Sequence, residues 1–61
     1  MEFTVMINHK EVALVNGIEA SYEAYAKAKE FAELVGGTCD LVDNTTGEVI
    51  AWWDFEENEG F

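Results

Sequence analysis

Ser21, His9 and Cys39 are each the only residue of their type in the chain, and any nucleophilic or metal chemistry would have to be built on them. A Ser–His or Cys–His couple needs the nucleophile within hydrogen-bond reach of the imidazole. His9 falls in the polar stretch Asn8-His9-Lys10-Glu11, which reads as a turn. Cys39 alternates with Leu41 onto the apolar side of a strand, where a thiol is inert. Ser21 stands before a helical run and reads as its cap. One Cys and one His cannot make a tetrahedral Cys/His zinc site. Asp40, Asp43, Asn44 and Glu48 offer oxygen ligands, but not at the alternating spacing of a calcium loop, and a hairpin turn accounts for them. Carboxylate acid–base catalysis needs one member of a pair raised by burial, whereas these acids are expected to project outward or lie in turns. Gly36-Gly37 is not followed by a helix signal, so it cannot cradle a phosphate. The expectation is a chain without catalytic residues, metal or cofactor, and not an enzyme.

The same carboxylates carry a different signal as a group. Thirteen acids face only Lys10, Lys27 and Lys29, for a net charge of −10, and there is no arginine. Direct binding to nucleic acid or to an anionic membrane depends on cationic surface and is excluded on that ground. From Glu30 onward there is no basic residue, and Asp40, Asp43, Glu48, Asp54, Glu56, Glu57 and Glu59 form the expected acidic surface. Solubility alone would explain it. The functional alternative is steering towards a basic protein partner. In its sharper form, the carboxylates imitate the phosphates of a nucleic acid and inhibit a DNA- or RNA-binding or defence protein.

The elements that would position these residues follow from the pattern. Sixty-one residues allow one domain, 1–61, with a small core. No apolar run reaches the roughly 20 residues that cross a bilayer, and no basic-then-apolar leader opens the sequence, so the expectation is a soluble cytoplasmic protein. A lone cysteine forbids an internal disulfide and fits a reducing compartment. Phe3, Val5 and Ile7 alternate with Thr4 and Met6, predicting a strand over about 3–7, with a second over about 12–16. An even-length connection between them would set Val12 and Leu14 on the side of Phe3 and Val5. Ile18-Glu19-Ala20 reads as a bend. A helix is expected over about 21–35, ended by Gly36-Gly37, with Ala24, Tyr25, Ala28, Phe31, Ala32 and Val35 on its inner face. Two more strands, about 38–43 and 48–55, flank a turn whose Gly47 suits a left-handed bulge position. In that register Cys39 faces Trp53, Asp40 faces Trp52, Leu41 faces Ala51, Val42 faces Ile50 and Asn44 faces Glu48. Residues 56–61 read as a frayed acidic tail.

The expected fold class is therefore α+β: a ββαββ chain forming one four-stranded antiparallel sheet with the helix on one face. Its other face would carry Met6, Val15, Val42, Ile50 and Trp52, with Ala13, Thr4 and Asp40 among them. An open face this apolar marks an interface for a protein partner or for a second copy as a homodimer.

Ser21-Tyr22-Glu23-Ala24 opening an alanine-rich helix, then Gly36-Gly37, Leu41-Val42-Asp43 and Thr46-Gly47-Glu48-Val49-Ile50, resembles in layout the small ββαββ proteins of bacteria and phage, including the short DUF2188-type domains. The resemblance implies the same helix, glycine break and terminal hairpin and carries over no catalytic residue. Among small acidic phage proteins, inhibition of host or defence enzymes is a recurrent role, which favours the mimic. The chain departs from that layout in its acidity and in Trp52-Trp53.

Overall fold

The computed structural model describes residues 1–61. Its elements are β1 (Glu2–Ile7), β2 (Lys10–Asn16), α1 (Ile18–Val35), β3 (Thr38–Asp43), β4 (Glu48–Asp54) and β5 (Glu59–Gly60). The strands form one antiparallel sheet in the order β2-β1-β3-β4-β5, so the two long hairpins meet along β1 and β3. The fold is α+β with one helix, as expected, but the sheet has five strands rather than four.

The first hairpin closes through Asn8 and His9, both with left-handed backbone (φ 51° and 66°). That two-residue turn matches the right-handed twist of the strands and lets β2 begin at Lys10. The turn is even, yet Val12 and Leu14 do not face the helix. Met6 pairs with Glu11 and Val5 with Ala13, leaving Val12 as an extra residue in a bulge. The bulge flips everything beyond it. Ala13 and Val15 join Phe3 and Val5 on the helix side, while Leu14 lies on the other and, like the bulge residue Val12, is more than half exposed.

A second bulge changes the last hairpin. Cys39 pairs with Trp53, Asp40 with Trp52 and Leu41 with Ala51, as the pattern predicts. Beyond them Val42 pairs with Val49 rather than Ile50, and Asp43 rather than Asn44 pairs with Glu48. Ile50 is the extra residue and packs against the core, while Val49 lies opposite Val42 and is exposed. Gly47 does take the left-handed conformation (φ 77°), but the unpaired residue sits within β4, not at the turn.

The helix starts one turn earlier than expected. Gly17 (φ 94°) reverses the chain directly after β2, and Glu19 supplies negative charge to the first turn. Ser21 is therefore no cap: it is fully buried, and its hydroxyl donates to the Ile18 carbonyl at 2.7 Å. The far end is a Schellman motif, with Gly36 left-handed and the Gly37 N–H donating to the Ala32 carbonyl. Ser21, Tyr25, Ala28 and Ala32 form the buried line, and these mostly small side chains let the helix lie close to β1 and β3. Phe31 and Val35, expected inside, are 54% and 53% exposed. With the helix rotated to put Ser21 and Ala32 against the sheet, their positions fall on its flank.

The core comprises Phe3, Val5, Tyr25, Ala28, Ala32, Cys39, Leu41 and Ala51, with Ile7, Ala13, Val15, Ile50, Trp53 and Phe55 packed around it. All of it lies between helix and sheet. Nothing in the chain covers the opposite face from above.

The segment expected to fray is ordered. Asp54 Oδ1 accepts the N–H groups of Glu56 and Glu57 at 2.9 and 3.2 Å, and Asn58 takes a left-handed φ of 57°. The chain turns back, and Trp53 pairs with Gly60 and Asp54 with Glu59. Phe61 and Trp52 then exchange two backbone hydrogen bonds of 2.9 and 3.0 Å. Gly60 is required there: a Cβ on it would meet the Trp52 carbonyl oxygen at 2.2 Å and Trp53 Cε3 at 2.5 Å. No helix in the chain is long and apolar enough to cross a membrane.

Candidate functional site

Strand alternation and the two bulges decide which side chains reach the open face. One cross-strand row runs Met6, Asp40, Trp52 and Phe61 across β1, β3, β4 and the residue after β5. The adjacent row runs Leu14, Thr4, Val42 and Val49. Of the residues expected to form an interface, Met6, Val42 and Trp52 lie on this face and are half-buried. Val15 and Ile50 do not: both pack towards the helix because of the bulges. Leu14 and Val49 are there instead, 56% and 44% exposed. Their apolar character was visible in the sequence; the parity of each strand was not.

Polar groups interrupt the face: Glu11 pairs with Met6, and Asp54 and Glu59 lie two residues along from Trp52 and Phe61. Thr4 is nearly buried and donates its hydroxyl to Asn44 Oδ1 at 2.9 Å; Asn44 in turn donates through Nδ2 to Glu2 Oε1 at 3.2 Å. That chain leaves Thr4 satisfied beneath its apolar neighbours. Asp40 is different. Its side chain is 18% exposed and has one charged neighbour, His9 Nδ1 at 4.0 Å. Burial pushes its carboxyl above the usual range, and His9 acts in the opposite direction. Trp52 meets Phe61 edge to face, centroids 5.7 Å apart and planes at 86°. Phe61 thus packs against one side of Trp52, which stays half-buried.

The remaining acids divide by role. Glu48, Glu56, Glu57 and Glu59 are exposed, whereas Asp43 and Asp54 are half-buried and spend one oxygen on turn N–H groups. Asp40 and His9 form the one ion pair, so no lysine offsets any carboxylate by contact.

On the helix side, Lys29 Nζ lies 4.5 Å from the centre of the Trp53 ring, a cation–π contact. Beside it a groove of about 160 Å³ is lined by Ala26, Lys29, Glu30, Glu33 and Phe55. Ligand pockets run to about 300–1,000 Å³ and enclose most of their occupant, and this groove is smaller and open. Trp53 Nε1 is buried without an acceptor, a polar cost that the Lys29 contact does not relieve. In the core, burial pushes the Cys39 thiol up in pKa, partly offset by the neighbouring Tyr25 hydroxyl. A thiol so placed is mostly protonated at neutral pH and a poor nucleophile. No three His, Cys, Asp or Glu side chains converge. Chemically, the arrangement can offer an apolar surface, an aromatic corner and a carboxylate.

No family model matches the chain, and no curated protein or solved structure is significantly similar to it.

Proposed function

We propose that the chain is a non-enzymatic acidic interaction domain that docks a protein on the open face of its sheet. The observation that carries this reading is the row Leu14, Thr4, Val42 and Val49 beside Met6 and Trp52. A sheet with one solvated face ordinarily alternates apolar inward and polar outward; here Leu14, Val42, Val49, Met6 and Trp52 make an apolar patch on the outward face. Burying such a face contributes roughly 25 cal/mol for each Å² removed from water, and the fold itself gains nothing from its exposure. The occupant is a basic protein or a second copy. The net charge of −10 favours the first, because two copies repel while a basic partner is attracted.

The test is sedimentation equilibrium together with capture from lysate, using the wild-type chain and a Leu14→Glu/Val49→Glu variant. The expected outcome is a partner, or a dimer, lost in the variant while its thermal melt is unchanged. A wild-type chain that stays monomeric at high concentration and captures the same proteins as the variant refutes the proposal.

A second reading, the nucleic-acid mimic, is favoured by the exposed acids that no lysine neutralises. It requires that affinity for a DNA- or RNA-binding protein fall steeply with salt; affinity that is flat across ionic strength removes it.

A further inference from the structure

Asp40 is the most enclosed carboxylate of the open face: its side chain is 18% exposed, and its one charged neighbour, His9, is 4.0 Å away. It sits in mid-β3, flanked by Met6 on β1 and Trp52 on β4. Across from Trp52, the Phe61 ring stands nearly perpendicular to the indole, and two backbone hydrogen bonds hold the two residues in place. The corner is therefore fixed by main-chain pairing as well as by side-chain packing. Asp54 and Glu59 pair with each other two residues along from Trp52 and Phe61, so strand alternation sets them on the same face. Among bases, only His9 reaches this region. Lys10 pairs with Ile7 on the helix side, and Lys29 lies over Trp53 on the far side of the sheet.

We infer that Trp52, Phe61 and Asp40 form a seat for a cationic side chain, lysine or arginine, of a protein partner. The inference rests on the open face being the docking surface. An aromatic ring attracts a cation over its face, and more strongly once water is excluded. The Asp40 carboxylate accepts a charge-assisted hydrogen bond from the same cation. The seat also decides between occupants. A partner that covered this face with apolar groups alone would strand the Asp40 charge away from water, which is costly. A second copy brings His9 as the only base near this position, and brings its own Asp40, Asp54 and Glu59. A basic segment satisfies the carboxylate and the ring together.

The experiment is an NMR titration of the whole ¹⁵N-labelled chain with tetra-arginine and tetra-lysine peptides at fixed ionic strength. Both indole N–H signals are followed, with the backbone amides. The Trp52 indole and the Asp40 and Phe61 amides shift together on one isotherm, and the Trp53 indole does not. Asp40→Asn, nearly isosteric, weakens binding about tenfold. Phe61→Leu weakens it about threefold. Glu23→Gln on the exposed helix surface changes it less than twofold. Equal weakening by Asp40→Asn and Glu23→Gln overturns the inference, because the peptide then reads only net charge. A Trp52 signal that never moves overturns it too. The docking face itself is judged by the Leu14→Glu/Val49→Glu experiment, so a positive result there beside a static Trp52 removes the cation seat alone.

Discussion

Gly60→Ala isolates what the last strand does. The added methyl would sit 2.2 Å from the Trp52 carbonyl oxygen and 2.8 Å from Trp53 Cα, and backbone atoms have nowhere to go. The strand must therefore lift. What is lost is two hydrogen bonds between Phe61 and Trp52 and the ladder pairing of Asp54 with Glu59, worth about 1 kcal/mol net for each bond, and the edge-to-face ring pair, worth about 1 kcal/mol. What is regained is the conformational freedom of residues 59–61, at about 1–2 kcal/mol each. Gain and loss nearly cancel, so β5 should detach alone while the rest of the fold stays intact. Thermal and urea unfolding then shift by no more than about 1 kcal/mol. Over the same comparison, tryptophan fluorescence moves to the red, acrylamide quenching rises, and the Trp52 and Phe61 amides lose protection against hydrogen exchange. A stability loss of several kcal/mol would show that the strand is part of the cooperative core. Unchanged quenching would show that Phe61 does not shield Trp52, and either result refutes the reasoning.

Two further outcomes follow from burial. Leu41→Ala, at a fully buried site, should cost about 2–5 kcal/mol, against a total of roughly 3–9 kcal/mol for a chain of this size; circular dichroism should show it largely unfolded at 37 °C. Tyr25 is held protonated well above the ordinary tyrosine range, mainly by burial and then by the neighbouring Cys39 thiol. As pH rises past the ordinary tyrosine value the unfolded chain ionises Tyr25 while the folded chain does not, so stability present below that value falls. Urea melts across the alkaline range should show the slope, and Tyr25→Phe should reduce it; an unchanged slope would place its cause elsewhere.

Much of the fold was legible because its signals were local. Gly47 and Gly36 mark real left-handed positions, and alternation around Cys39 and Leu41 put Trp53 and Ala51 opposite them. Parity was not legible. Val12-Ala13-Leu14-Val15 and Val49-Ile50-Ala51-Trp52-Trp53 are unbroken apolar runs, so either face could be the inner one, and a bulge settled each. That is why Val15 and Ile50 changed places with Leu14 and Val49 as open-face residues. Ser21 misled because the residue type that caps a helix can also fold its hydroxyl back onto the preceding turn. A two-residue strand among Glu56, Glu57 and Glu59 has no periodicity to read.

The two margins of the sheet are not alike. The β4 margin is closed by the chain's own last residues, but β2 lies at the rim with no strand beyond it. Seven residues of unpaired rim, with Val12 and Leu14 facing out, are a template on which other chains can grow a sheet, and the bulge at Val12 only partly blunts it. What keeps molecules apart is then mutual repulsion rather than shape. That protection vanishes near the isoelectric point of about 4.1, so mild acid should bring colloidal failure before it brings unfolding.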